Sequence, residues 1–287
     1  MTAAVVVIGD ALLDAHAEPS EPIRPGADVP ATIVLEPGGQ GANLAARLAR
    51  RGVTVQLITA IGNDHGGRVL REALAADGVD VRPVAATSTG VVVVLRGPAG
   101  ERTMLSQRPT YAAAAAEVLP LAAAWLVISG YCLLEPEADA LAGAVSRSPG
   151  HRALIGCSVP DPLLDRWREL ATSMRPDLLV LNEEEAEALG PLSGTGAVAV
   201  TDARGARLTT GEATHRADVP AGPPAIDTTG AGDAFAASFL AAILRDRWPP
   251  DRAGEALAAA VEAAASVARV RGAQARVPGE RDATLPA

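Results

Sequence analysis

The sequence contains no lysine, because all 25 of its basic residues are arginine. A Walker A phosphate-binding loop requires a lysine, and so does Schiff-base chemistry, so both are excluded. Any phosphate group must therefore be held by backbone amides, by arginine or by a metal ion.

Aromatic residues and cysteines are also scarce. Aromatics make up 2% of the chain, so alanine, valine and leucine must fill the core that an apolar fraction of 48% allows. The two cysteines, Cys132 and Cys157, cannot form a disulfide framework and lack the spacing of metal ligands. We therefore expect both to be small buried core residues. The four histidines are scattered and predict no metal cluster.

The chain has no excess of positive charge and no long hydrophobic run. Its net charge of −9 argues against a nucleic-acid or membrane-surface partner, because no basic excess could neutralise phosphates. Charges, glycine and proline interrupt every apolar stretch before about 20 residues, and no secretory signal pattern is found. We expect a cytoplasmic protein with no membrane and no nucleic-acid partner.

Strand-length apolar runs alternate with segments of helical period. Continuously apolar runs are typical of parallel strands that are covered on both faces. The alternation predicts an α/β fold with a doubly wound, three-layer α/β/α core. The predicted strands cover 3–9, 55–62, 124–130, 153–157, 177–182 and 197–201, and the predicted helices cover 40–51, 66–77, 135–147, 183–189, 231–246 and 252–270.

Two segments, 15–36 and 88–108, interrupt this alternation. The first is rich in proline and acidic residues and ends in the strand-like ATIVLE; the second is typical of a hairpin with its turn at 97–100. We expect the two segments to form a small β lid over the carboxyl edge of the core sheet, although two unrelated surface excursions are the alternative. The core then comprises residues 1–14, 37–87 and 109–287.

The segment DTTGAGDAF at 227–235 precedes an alanine-rich helix. Its small residues allow a tight turn that directs several N–H groups to one point, at a helix N-terminus that favours an anion. A carboxylate there would repel a resting phosphate, but Asp233 makes chemical sense as a base that accepts a proton from an attacking hydroxyl. An acidic N-terminal cap on an ordinary helix is the alternative.

The same segment resembles the C-terminal signature of the PfkB, or ribokinase-like, carbohydrate kinases. Further stretches resemble family motifs in the same order: Gly9-Asp10 with Asp14, GGQGANLA at 38–45, AIGND at 60–64 with Gly66, NEEE at 182–185 and RGAQARVP at 271–278. The resemblance implies a mainly parallel core sheet with a small β-sheet lid. It also implies a phosphotransferase with an alcohol acceptor, which transfers the γ-phosphate of ATP to a hydroxyl of a sugar or related small molecule.

The resemblance also assigns roles to single residues. Asp233 would be the catalytic base, and the N–H groups of Gly230, Ala231 and Gly232 would form an anion hole. The substrate would be bound by Asp14, Gly38, Gly39, Asn43, Glu135 and Asp233. On local grounds Asp14 could instead be a solvated turn residue, Asn43 a helix cap and Glu135 a first-turn residue at a helix N-terminus.

Cofactor contacts follow from the same resemblance. ATP would contact Asn182, Thr201, Ala203, Gly205, Gly230 and Gly232. Glu185 would organise Mg²⁺ through water, and Asp227 and Thr229 match positions that bind a monovalent cation such as K⁺. A capping box is the alternative for Asn182 and Glu185, and a turn-stabilising role is the alternative for Asp227.

Two positions depart from the family pattern. Family members often carry lysine where Gln40 stands, so one sugar or phosphate contact is weaker or absent. The nucleotide loop at 201–205 lacks its first glycine and is one residue short, which leaves the nucleotide preference open.

Several alternatives stay open for the substrate. A nucleoside or vitamin-precursor kinase is one, although the lid has no aromatic residue to stack on a base. A sugar phosphate would require arginines in the pocket, for which Arg24, Arg96, Arg102 and Arg108 are candidates. A catalytically inactive, ligand-binding regulatory protein is the alternative from another class. We also expect a homodimer through the lid, because exposed lid strands present edges that readily pair.

Overall fold

The structure is a computed structural model that describes residues 4–84, 86–97, 102–119, 122–244, 248, 252–270, 272 and 280, with Arg102 described by its backbone. The proposed hairpin turn at 97–100 is therefore described at Gly97 and the motif at 271–278 at Gly272, and the rest of both predictions lies outside the described residues.

The predicted strands and helices are all present in the predicted order. The core also contains strands and helices that the sequence analysis does not predict, at 80–84, 112–117, 164–174, 205–210 and 213–218. The strands are β1 (Val5–Ile8), β2 (Leu12–Pro19), β3 (Ala31–Gly38), β4 (Val55–Ala60), β5 (Asp80–Val84), β6 (Gly90–Arg96), β7 (Arg102–Gln107), β8 (Trp125–Ser129), β9 (His151–Ile155), β10 (Leu178–Asn182), β11 (Ala197–Asp202), β12 (Gly205–Thr210) and β13 (Ala213–Asp218). The helices are α1 (Gln40–Arg50), α2 (His65–Ala76), α3 (Ala112–Glu117), α4 (Ala138–Arg147), α5 (Leu164–Met174), α6 (Glu183–Leu189), α7 (Ala231–Ile243) and α8 (Ala253–Ala268).

The larger sheet has the order β13-β12-β11-β10-β9-β8-β1-β4-β5 within the described residues. Seven strands of this sheet run parallel to one another: β11, β10, β9, β8, β1, β4 and β5. Strands β12 and β13 are antiparallel to their neighbours at one edge. Helices α1, α2, α7 and α8 pack on one face, and α3 to α6 pack on the other. The prediction of a three-layer core with a mainly parallel sheet is confirmed.

A smaller sheet of order β3-β2-β6-β7 is built from the two segments that break the sequence alternation. Strand β2 pairs antiparallel with β3 and parallel with β6, which joins both segments in one layer. This sheet, which we call the lid, also includes residues 12–14 and 37–38, so that Asp14 lies opposite Glu36 on its neighbouring strand.

The order of the large sheet reverses beside β1, which lies between β4 and β8. Ligands of open α/β sheets bind outside the carboxyl ends of the strands at such a point. Helix α1 begins there, close to the end of β1. A Cβ atom on Gly41 would lie 2.5 Å from the carbonyl carbon of Gly9, so this approach requires glycine.

Both cysteines are buried, as expected, and burial raises the pKa of each thiol to about 12. Among the described residues, no helix is both long enough and apolar enough to cross a membrane.

Candidate active site

Asp233 lies in the first turn of α7, directly after a turn in which Gly230 has a φ of 75°. The side-chain amide of Asn43, in α1, donates a hydrogen bond of 2.9 Å to Asp233 Oδ2. Burial raises the pKa of Asp233 to about 6, although the Asn43 hydrogen bond and the charge of Arg47 both lower it. A carboxylate with this pKa is ionised at neutral pH and can still accept a proton readily.

The turn before α7 is the predicted anion hole. The N–H of Ala231 donates to the carbonyl oxygen of Thr228 at 3.2 Å, which closes the turn. A Cβ atom on Gly232 would meet no atom within 4 Å, so open space lies beside this part of the turn. The helix N-terminus faces that space with its positive dipole end.

A further carboxylate, that of Asp14, lies near Asp233, and Glu36 is the neighbour of Asp14. Asp14 and Glu36 are paired across β2 and β3, and the Asp14 carboxylate lies where a Cβ atom on Gly38 would be. The pKa of Asp14 is raised to about 7, mainly by burial and then by the negative charges of Glu36 and Asp233. The group is rich in hydrogen-bond acceptors, and its carboxylates repel an anionic ligand when they are ionised.

The loop that enters α1 is held by close backbone contacts and by the side chain of Gln40. Gly39 has a φ of 93°, and a Cβ atom there would lie 2.7 Å from the carbonyl oxygen of Asp10. The Gln40 amide donates to the carbonyl oxygen of Gly156 at 2.8 Å and accepts from the Ser129 hydroxyl at 2.6 Å. Gln40 therefore holds the start of α1 against the ends of β8 and β9.

An arginine from the end of the lid reaches the switch point. Arg108 forms an ion pair with the buried Asp10, and its guanidinium lies 4.0 Å from the centre of the Tyr131 ring. Asp10 also accepts a hydrogen bond of 3.4 Å from the N–H of Gly41. The charge of Arg108 is thus largely compensated inside the protein.

Glu135 contacts the start of α3. Its Oε2 accepts hydrogen bonds of 2.7 Å from the N–H groups of Tyr111 and Ala112. Burial raises its pKa, and these two hydrogen bonds lower it. The contact of Glu135 with a sugar stays a prediction. Such a contact would use the lone pairs of the carboxylate that Tyr111 and Ala112 do not occupy.

On the other side of the switch point, Asn182 and Glu185 form a capping box at the start of α6. Asn182 Oδ1 accepts from the N–H of Glu185 at 2.8 Å, and Glu185 Oε2 accepts from the N–H of Asn182 at 2.9 Å. Burial raises the pKa of Glu185, whose carboxylate lies against Gly156 at the end of β9. The capping box that was the alternative for these two residues is therefore formed. It still leaves lone pairs of Glu185 for another partner.

The shortened loop at 201–205 is a two-residue hairpin turn between β11 and β12. Asp202 Oδ1 accepts hydrogen bonds from the N–H groups of Arg204 at 2.6 Å and Gly205 at 2.9 Å. A side chain at Gly205 would collide with the carbonyl oxygen of Ala217 on β13. Asp202 thus closes the turn, in which Ala203 lies and which Thr201 precedes, and these hydrogen bonds lower the pKa of Asp202.

Asp227, which precedes the turn before α7, is 4% exposed. Its Oδ1 accepts from the N–H and the hydroxyl of Thr229 at 3.0 and 2.6 Å, while its Oδ2 contacts the guanidinium of Arg96 in the lid. Burial alone would raise the pKa of Asp227, but the contacts with Thr229 and Arg96 hold it at about 2.

Sequence reasoning missed Glu36, Arg47, Ser129 and Tyr131. Each lay beside a recognised feature: Glu36 precedes the Pro-Gly-Gly that leads into α1, and Arg47 is one helical turn after Asn43. Ser129 is the last residue of β8, the strand next to β1, and Tyr131 follows two residues later. Position at a strand end or on a helix face would have identified them once the strand order was known.

Comparisons with known proteins agree on one family. The family model of the pfkB family carbohydrate kinases matches residues 2–279. A fructokinase from Klebsiella pneumoniae is 33% identical, with 98% of each chain covered, and a ribokinase from Haemophilus influenzae is 26% identical over 85% of each chain.

Solved structures show the same fold. A ribokinase from Thermotoga maritima superimposes with a TM-score of 0.79 at 22% identity, covering 98% of this chain and 97% of that one. A sugar kinase from Pyrococcus horikoshii, solved in complex with ATP, also gives a TM-score of 0.79, at 23% identity, with 97% of this chain and 95% of that one covered. The predicted phosphotransferase with an alcohol acceptor is confirmed: the chain belongs to the pfkB family of carbohydrate kinases.

Proposed function

We propose that the protein transfers the γ-phosphate of ATP to a hydroxyl group of a neutral sugar, with Asp233 as the catalytic base. The observation that carries this proposal is the position of Asp233, which lies at the N-terminus of α7 and is held by Asn43 from α1. A proton acceptor thus lies beside a helix end that favours an anion. The ATP complex of the Pyrococcus horikoshii sugar kinase supports ATP as the donor.

The reaction follows from the charges around this position. Asp14 accepts hydrogen bonds from sugar hydroxyls, and Gly38, Gly39 and Asn43 line the same space. Asp233, with a pKa of about 6, takes the proton of the attacking hydroxyl as the new bond to phosphorus forms. The N–H groups of Gly230 and Gly232 and the dipole of α7 stabilise the negative charge that develops on the phosphoryl oxygens, while the N–H of Ala231 donates to Thr228 and closes the turn.

The nucleotide is proposed to lie along the ends of β10 to β12, in contact with Asn182, Thr201, Ala203 and Gly205. Glu185 fits a water-mediated role toward Mg²⁺, because one of its oxygens caps α6 and the other keeps free lone pairs. When bound, Mg²⁺ neutralises phosphate charge. The protein itself contributes the helix N-terminus and the hairpin turn that Asp202 closes.

A neutral sugar is favoured over a sugar phosphate. Two of the candidate arginines are committed to buried carboxylates, Arg96 to Asp227 and Arg108 to Asp10. Arg24 pairs with an exposed glutamate in the loop between β2 and β3. The substrate space is instead lined by the carboxylates of Asp14, Glu36 and Asp233, which would repel a second phosphate.

The comparisons support fructose as the first candidate. Fructokinases from Klebsiella pneumoniae and Salmonella typhimurium are 33% and 31% identical to this chain. A second candidate is ribose 1-phosphate, because an ATP-dependent ribose-1-phosphate kinase from Halopiger xanaduensis is 31% identical over 73% of this chain. The charge of the substrate space argues against this second candidate.

The outer face of the lid supports a homodimer. Ile33, Leu35 and Leu105 are 64%, 62% and 57% exposed, and strand alternation and register place them on one face of the lid. Monomeric proteins rarely expose such an apolar cluster. We propose that a second copy of the chain covers this face, and that Leu35→Glu converts a dimer to a monomer in size-exclusion chromatography with light scattering.

The function is tested by ADP release from MgATP with fructose, ribose, ribose 1-phosphate, fructose 6-phosphate and nucleosides as acceptors. The proposal expects turnover of a neutral sugar and loss of that turnover by about a thousandfold or more in Asp233→Asn. Turnover of a sugar phosphate or a nucleoside alone would replace the proposed substrate class. Binding of ATP without any turnover would favour an inactive regulatory protein.

A further inference from the structure

The carboxylate of Asp227 anchors the loop that leads into α7, and at least four donors contact it within the described residues. Thr229 donates its N–H and its hydroxyl to Oδ1, at 3.0 and 2.6 Å. The guanidinium of Arg96 contacts Oδ2, and the N–H of Gly272 donates to the same oxygen at 3.4 Å. An ionised carboxylate offers about four lone-pair positions, so contacts inside the protein already use those of Asp227.

Arg96 reaches this carboxylate from the lid. It is the last residue of β6, and its side chain is 17% exposed while that of Asp227 is 1% exposed. Glu18 on the neighbouring strand β2 lies 3.9 Å from Arg96 Nε. The positive charge is thus embedded between one buried and one partly exposed carboxylate, and it neutralises Asp227.

These contacts do not fit a monovalent cation at Asp227 and Thr229. K⁺ is held by oxygen lone pairs that replace its hydration shell. The hydroxyl of Thr229 donates its proton to Asp227. The lone pairs of Asp227 already face donors and are therefore not available to a cation. A second cation beside the guanidinium would also meet its positive charge, and the nearby carboxylates of Asp227 and Glu18 already face that guanidinium.

We propose that Arg96 is the fixed cation of the anion-hole loop, so that the reaction requires no added monovalent cation. Arg96 is a positioning residue: it holds Asp227, which holds Thr229, and Thr229 directly precedes the proposed anion hole at 230–232. Because Arg96 belongs to β6, one ion pair connects the lid to the anion-hole loop. This inference rests on the proposed kinase function.

The test compares KCl, NaCl and choline chloride at equal ionic strength in the wild-type protein, Arg96→Ala and Arg96→Lys. We expect the wild-type kcat to agree within about twofold in all three salts, and Arg96→Ala to lose at least about tenfold. K⁺ or guanidinium ion should restore part of the Arg96→Ala activity, and Arg96→Lys should keep most of it. Arg68→Ala, which removes a surface ion pair with Glu72, is the matched control and should leave kcat unchanged.

The unfolding midpoint gives a second readout that does not depend on turnover. K⁺ and choline should give the same midpoint for the wild-type protein, whereas Arg96→Ala should be stabilised by K⁺ specifically. If no sugar is phosphorylated, the kinase proposal fails while this comparison still decides the role of Arg96. A K⁺-specific rise in the wild-type kcat or midpoint overturns the inference. A loss in Arg96→Ala that neither K⁺ nor guanidinium ion restores overturns it as well.

Discussion

The hydrogen bond from Asn43 lowers the pKa of Asp233, which burial raises, and so extends the pH range in which the base is ionised. Asn43→Leu removes the donor and keeps a side chain of similar size. A hydrogen bond to a charged group contributes ~1.5–3 kcal/mol, and one pKa unit corresponds to ~1.36 kcal/mol. Because Asp233 is partly buried, we take the lower part of that range. The pKa of Asp233, now about 6, should rise by about one unit.

The sign follows from the chemistry of the base. Asp233 acts when it is ionised, so a higher pKa means that activity is lost at a higher pH as the solution is acidified. The acid limb of kcat should therefore move from about pH 6 to about pH 7 in Asn43→Leu. The assay is kcat for the sugar substrate between about pH 5 and 9, by ADP release.

Gln40→Leu is the matched control for this experiment. It removes a second amide at the start of α1, but one that contacts Ser129 and Gly156 rather than Asp233. Its acid limb should stay at the wild-type position even if its rate falls. An unchanged acid limb in Asn43→Leu, or an equal shift in Gln40→Leu, would refute the reasoning.

Three further changes test the surroundings of the site. Glu36→Gln removes a charge that raises the pKa of Asp14, now about 7, so the pH above which KM improves should move to lower values in a KM–pH profile. Gly41→Ala would place a Cβ atom 2.5 Å from the backbone that follows β1, and urea unfolding should show a loss of about 1–3 kcal/mol. Glu280→Ala removes the carboxylate that accepts from the fully buried Arg47 at 3.0 Å, and should cost about 3 kcal/mol in the same experiment.

The two stability predictions have controls in the same chain. Gly143→Ala, inside α4, would meet the flexible end of Arg147, so it should stabilise the protein by about 0.5–1 kcal/mol. Glu72→Ala removes an exposed ion pair and should change stability by less than about 0.5 kcal/mol. Equal losses in Glu72→Ala and Glu280→Ala would contradict the role given to the buried pair.

The fold could be predicted from the sequence because its signals are local. Continuous apolar runs such as 177–182 mark parallel strands, and the structure has β10 there. The two segments that break the alternation both enter the lid, and each includes an antiparallel partner of a neighbouring strand. The inclusion of residues 12–14 in the lid had no local signal, because that strand follows β1 after a short bend.

The contacts of the site were harder to predict because they join residues that are distant in sequence. Asn43 and Asp233 are separated by 190 residues, and Arg96 and Asp227 by 131. Family resemblance pointed to Asp227 as a cation ligand, but only the packing of the lid shows that an arginine occupies its carboxylate. The capping box of Asn182 and Glu185, named as the alternative for these residues, could be predicted because both members lie within one helical turn.

The most direct test of the central claim is phosphorus NMR of MgATP mixed with fructose and either the wild-type protein or Asp233→Asn. We predict that the γ-phosphate signal of ATP is replaced by that of a sugar phosphate monoester with the wild-type protein, and that this conversion is slower by about a thousandfold or more in the variant. Formation of the monoester at a comparable rate by Asp233→Asn would contradict the account, because a different group would then have to accept the proton.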